Sequence, residues 1–134
     1  MRVGSWVAVV AVAVGLTSAC DSGLSADDLD GTTYTSTSVS GRDLVEETAI
    51  TLVFDGDRVS TNAGCNTSGG RYEIDGGTLR AAGEWASTTI GCPDDLAAQD
   101  DWLQGMLEDG VGAELDDHTL TLTSDDVTID MTAE

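Results

Sequence analysis

Thr48-Ala49-Ile50-Thr51-Leu52-Val53-Phe54-Asp55-Gly56-Asp57-Arg58-Val59-Ser60-Thr61 carries the clearest structural signal in the chain. Ile50, Leu52 and Phe54 recur at every second position, which puts them on one face of an extended strand. Asp55-Gly56 is a two-residue hairpin signal, and Arg58–Thr61 reads as the returning strand. The same period spreads outward in both directions. Gly31–Ser38 reads as a polar strand. Arg71–Ile74 and Thr78–Ala81 flank Asp75-Gly76-Gly77 as a second hairpin, and Glu84–Thr89 follows as a further strand. Gly112–Leu115, His118–Thr123 and Val127–Met131 complete the series. Short strands at steady spacing, with Gly and Asp turns between them, predict a mostly β, antiparallel sandwich or small barrel.

One stretch breaks the period. Pro93 suits a first helical position, and Asp94-Asp95 favour the positive end of a helix dipole. Leu96, Leu103, Met106 and Leu107 fall near one helical face, and Gly110 ends the run. Trp102 lies off that stripe, leaving core packing and a cover over a barrel mouth both open. A helix of this kind would plug or lid an open barrel end.

The chain opens MRVGSWVAVVAVAVGLTSAC. A single Arg2 precedes an apolar run from Trp6 to Leu16, too short for the roughly 20 residues that span a bilayer. Charged start, apolar middle and small-residue end are those of an export signal over residues 1–19. Thr17-Ser18-Ala19-Cys20 is similar to a bacterial lipobox, although Thr17 occupies the position that is usually aliphatic. Ordinary secretory cleavage near Thr17-Ser18-Ala19 is the competing outcome. The lipobox predicts lipidation of Cys20 and attachment to the extracytoplasmic face of the cell membrane. Asp21–Asp30 is small, polar and acidic, so residues 20–30 read as the lipidated cysteine and its tether, and residues 31–134 as the folded domain.

Charge excludes partners. The chain has 25 acidic residues, five arginines and no lysine, a formal net charge of −20. Phosphate backbones require clustered Lys and Arg, so nucleic acid is not a partner. An anionic membrane would repel this surface, leaving attachment to the lipid anchor. The acidic pairs lack a D-x-D-x-D-G calcium loop and read as solvated faces, with no metal and no cofactor expected.

Three cysteines is an odd count for an exported chain. With Cys20 assigned to the lipid, Cys65 and Cys92 remain, and an oxidising compartment favours a disulfide between them. Closing that loop constrains the unfolded chain by about 3.5 kcal/mol on the chain-entropy model. A catalytic Cys65 would need a base, and the only histidine, His118, sits in the hairpin-like Asp116-Asp117-His118-Thr119. Two cysteines and one distant histidine do not make a four-ligand metal site.

Several short motifs in fixed order complete the pattern. Leu29-Asp30-Gly31-Thr32 resembles an L-x-G-T start. Gly64-Cys65-Asn66 with Gly70 and Tyr72 matches G-C-N…G-x-Y, and Ser87–Cys92 resembles S-T-R-M-A-C, with Thr89 in place of the basic residue. Tyr34 stands where tryptophan is common. From about Leu29 to the C-terminus the chain resembles the META domain, the family that includes the bacterial heat-shock protein HslJ. The resemblance implies a small lipocalin-like antiparallel β-barrel with one packed α-helix, no established catalytic site and a link to stress responses. Asn66 reads as a turn residue bonding local backbone, and Gly69-Gly70 as a bulge or positive-φ turn.

Three functions compete. The first is a non-catalytic envelope lipoprotein that binds or stabilises another envelope component under stress. The second is a carrier of a small apolar ligand in a barrel interior lined by Ile50, Leu52, Phe54 and Trp85. The third is an enzyme built on Cys65 and His118. Fold alone does not choose among them.

Overall fold

The computed structural model describes residues 24–134. Eight antiparallel strands close into a barrel in chain order: β1 Thr33–Ser40, β2 Thr51–Asp55, β3 Arg58–Asn62, β4 Thr67–Asp75, β5 Thr78–Ser87, β6 Val111–Asp116, β7 Thr119–Ser124 and β8 Val127–Ala133. The short helix α1 (Ala26–Leu29) precedes β1, and α2 (Asp94–Asp109) lies between β5 and β6. β8 pairs back onto β1, from Tyr34↔Ala133 to Ser40↔Thr128. Of the two arrangements the strand pattern allows, the chain adopts the closed one, which leaves no sheet edge along β1 or β8.

The hairpin 48–61 forms with Asp55 opposite Arg58 and Leu52 opposite Thr61. Leu52, Phe54, Val59 and Thr61 are buried while Val53 and Ser60 are exposed, so the period-two pattern marks inside and outside. Gly56 takes the positive φ of 62° that this two-residue turn demands. In the second hairpin Gly76 and Gly77 both have positive φ, and Asp75 pairs with Thr78.

The interior is filled by side chains. Tyr34, Phe54 and Tyr72 stack edge-on, with ring centroids 5.8 and 5.2 Å apart. Leu79, Val111, Ala113, Leu120, Leu122, Ile129 and Met131 join them in one contiguous core. Hydrophobic burial of this kind contributes roughly 1.5–3 kcal/mol per large aliphatic side chain.

The barrel has two unlike ends. One carries α1 and the turns at Gly56-Asp57, Gly76-Gly77 and Asp117-His118; the other carries the connections 41–50, 63–66 and 88–93 and the turn at 125–126. β5 meets β6 through only Thr78↔Gly112 and Leu79↔Val111. Beyond that short rung α2 packs against β5 and places Leu103, Met106 and Leu107 in the core. The expected lid is therefore also part of the wall.

Several local expectations change. The tether assigned to residues 20–30 is not free throughout, because α1 buries Leu29 completely and Asp30 accepts a 2.7 Å hydrogen bond from the Gly56 amide. Ser25 starts that turn by donating its amide to Asp28 Oδ2 at 2.9 Å. The acidic composition of the stretch hides its single apolar anchor. The runs 78–81 and 84–89 merge into one strand, β5, and β4 begins at Thr67, inside the glycine-rich stretch. The register of β4 against β5 shifts between Gly69 and Arg71, but the extra residues lie on β5 between Ala82 and Ala86, where Gly83 takes a positive φ of 66°, so the bulge expected at Gly69-Gly70 sits on the strand opposite the glycine pair. Gly70 itself is needed for a steric reason, since a Cβ there would lie 2.3 Å from the Trp85 ring. Pro93 is the N-cap of α2 and not its first helical residue.

Candidate functional site

The residues that single the sequence out collect at the end of the barrel that carries the connections 63–66 and 88–93. Cys65 lies in the β3–β4 connection and Cys92 in the segment leading to α2, and a disulfide joins them with Cα atoms 6.2 Å apart. This separation suits disulfide geometry.

Asn66 organises the junction. Its Oδ1 accepts from the Thr88 hydroxyl at 2.8 Å and from the Ile90 amide at 2.7 Å. Its Nδ2 donates to the Ile90 carbonyl and to Cys92 Sγ, both at 3.4 Å. The expectation of local backbone bonds is corrected here, since the acceptors and donors lie 22 to 26 residues away. The neighbouring Asn62 closes the connection on itself: its Oδ1 accepts from the Gly64 amide and its Nδ2 donates to the Asn66 carbonyl.

α2 is bolted to the same connection by two polar side chains that the helical pattern did not mark. Asp100 accepts the amides of Ala63 (3.2 Å) and Asn66 (2.7 Å), one on each carboxylate oxygen. Gln99, 1% exposed, donates to the Ala63 carbonyl at 2.6 Å and to the Thr48 hydroxyl, and accepts from the Val45 amide. Buried amides need such complete pairing, because an unpaired one costs about 1–3 kcal/mol. A Gln on the apolar side of a helix was the available signal for this contact.

Cys65, Cys92 and Asp100 bring two sulfurs and a carboxylate oxygen within 4.8 Å of one another. With the sulfurs joined to each other neither is a thiolate ligand, and both Asp100 oxygens already accept backbone amides. His118 is placed in the β6–β7 turn at the opposite end of the barrel, its side chain 79% exposed and 3.7 Å from Asp117. The fold thus separates the two members of the Cys-His pair. Cys20 lies outside the described residues.

The proposed ligand-lining set divides as well. Ile50, Leu52 and Phe54 are buried in the core. Trp85 is half-buried, donating its indole N–H to the Arg71 carbonyl at 2.9 Å. Trp102, whose place the sequence left open, packs half-buried against the core and carries the Arg42 guanidinium 4.4 Å from its ring centroid.

Comparisons agree with this architecture. A solved NMR structure matches with a TM-score of 0.65 at 23% identity, covering 81% of this chain and 94% of its own. An NMR structure of a protein from Burkholderia xenovorans matches with a TM-score of 0.62 at 20% identity, covering 81% of this chain and 86% of its own. At such identity the likeness concerns the fold. The search of curated proteins finds no match. The META domain model matches residues 27–134, beginning inside α1 and taking in every strand, both cysteines of the disulfide and Asn66. The chain belongs to the META domain family.

Proposed function

We propose that this protein is a non-catalytic, stress-related envelope lipoprotein, held by a lipid on Cys20, whose META domain acts by binding or stabilising another envelope component. The observation that supports a binding role is the fate of the motif residues. Cys65, Asn66 and Cys92 spend their chemistry on joining two connections and α2, the Asp100 carboxylate beside them is taken up by two backbone amides, and the one histidine, His118, is at the far end of the barrel. The filled interior favours a surface interaction over the carriage of an apolar ligand inside. α1 lies at the end with the turns at 56–57, 76–77 and 117–118, so a lipid on Cys20 would hold that end near the membrane and turn the disulfide end outward.

Complementation of a deletion strain under envelope stress tests the reading. His118→Ala should restore growth as wild type does, whereas Leu52→Asn should fail by placing an unsatisfied amide in the core. Cys20→Ser should move the protein out of the membrane fraction or block its processing. Loss of function in His118→Ala with a normal melting curve would overturn the non-enzymatic assignment. Wild-type protein found in the medium with an unmodified Cys20 would overturn the anchor.

A further inference from the structure

α2 and the β7–β8 turn wall an open groove of about 440 Å³. Trp102, Val127 and the buried Met106 supply its apolar lining. Asp101, Asp109, Asp125 and Asp126 supply its charge, and all four are exposed. The grooves beside Val39 and over Gly69 each include an arginine, Arg42 and Arg58; here every charged lining residue is a carboxylate. Exposed carboxylates are common on this chain. What sets these four apart is the apolar trough that they border. Two locally unfavourable choices along α2 border it as well. Gly105 lies inside the helix, where glycine costs about 1 kcal/mol relative to alanine. Internal packing does not require it, since a Cβ there would meet no packed neighbour within 4 Å. Asp109 places a negative charge at the negative end of the helix dipole. Arg80 donates to its main-chain carbonyl at 3.4 Å, and the carboxylate forms no ion pair among the described residues. Departures from local preference that meet at one place mark a functional surface.

We infer that this groove docks a basic segment of a partner protein, with a Lys or Arg stem along Trp102 and Val127 and its head among the carboxylates. Long basic side chains join an apolar stem to a charged tip, which is the pairing the groove offers. The attraction comes from the carboxylates, since the Trp102 ring already carries Arg42. A bare metal ion has no use for the apolar lining. A free polyamine has none for the notch at Gly105, which admits the close approach of a main chain. The turn at 125–126 lies at the disulfide end of the barrel, so an anchor at Cys20 leaves it accessible. The inference rests on the binding role proposed above and names the chemistry of the partner.

The probe is a capped Lys-Leu-Lys-Leu-Lys peptide, titrated into the full chain purified in detergent. The Trp102 indole N–H resonance should shift saturably, while that of Trp85, which does not line the groove, should not. Gly105→Leu should raise the melting temperature yet weaken the peptide about tenfold or more. Joint replacement of Asp101, Asp109, Asp125 and Asp126 by Asn should weaken it as much. The same change at the exposed Asp55, Asp75, Asp116 and Asp117, at the opposite end of the barrel, should alter affinity less than about threefold at equal net charge. Should one variant fail to fold, the wild-type shift and the other variant decide. A Trp102 signal that stays still, equal losses from the two sets of Asn replacements, full affinity in Gly105→Leu, or spermine bound as tightly as the peptide would each overturn the assignment. Peptide binding is read on the purified chain, so its failure is distinct from a failure of complementation.

Discussion

At Asn66 one side-chain amide is shared between two chain segments, and this explains why asparagine suits the position. An aspartate there would keep the acceptor for Thr88 and Ile90 but lose the donor to the Ile90 carbonyl. Asn66→Ala should cost about 1–3 kcal/mol, because the Ile90 amide and Thr88 hydroxyl lose their shared acceptor in a partly buried setting. Urea melts of the two proteins measure it; an unchanged midpoint would mean that water replaces the side chain at no loss. Gln99 shows the same logic in a drier place. Its three bonds satisfy donor and acceptor alike, which is what makes a buried amide tolerable.

At the scale of elements, α2 is the unusual piece. It spans the region where β5 continues to Ser87 without β6 beside it. It contributes Leu103, Met106 and Leu107 to the core while Gln99 and Asp100 hold the connections below its first turns. The disulfide closes a 27-residue separation that contains all of β4 and β5. Replacing both cysteines with alanine should therefore lower the melting temperature by about 10 °C or more, from the roughly 3.5 kcal/mol of the chain-entropy model. The helix should remain docked, since its apolar contacts and the Asp100 and Gln99 bonds survive the change; far-UV circular dichroism before melting checks this. Two free thiols in protein exported to its own compartment would contradict the pairing.

At the scale of the molecule, charge and the buried tyrosines set the response to solvent. Self-repulsion at −20 is screened as the Debye length falls from about 10 Å at 0.1 M salt to about 3 Å at 1 M. Thermal stability should accordingly rise with sodium chloride, and a flat or falling salt curve would refute that account. Burial raises the pKa of Tyr34, with a hydrogen bond from Thr32 opposing it and Asp28 adding to it. Burial likewise raises Tyr72, helped by the charges of Asp30, Asp57 and Asp27. The unfolded chain releases these protons first, near pH 10, so their contribution is complete below that pH and disappears as the pH climbs through the raised folded values. Denaturant melts should thus weaken steeply above about pH 10, and a Tyr34→Phe/Tyr72→Phe variant should lose much of that slope.

What the amino-acid order determines by itself is local and periodic. The 48–61 alternation, the Asp-Gly and Gly-Gly turns and the Pro-Asp-Asp helix start all act over a few residues, so they can be read without knowing the fold. The family motifs were legible in the same way, from Leu29 to Cys92. Closure was not: whether β8 returns to β1 depends on twist and register summed over the whole sheet. Three features were likewise decided only by contacts between segments distant in the chain. Leu29 is buried because α1 packs onto the core, Gly70 is required because Trp85 lies across it, and Gln99 is buried because it meets Ala63, Thr48 and Val45. In each case the deciding partner is more than ten residues away, and a short window of sequence contains no trace of it.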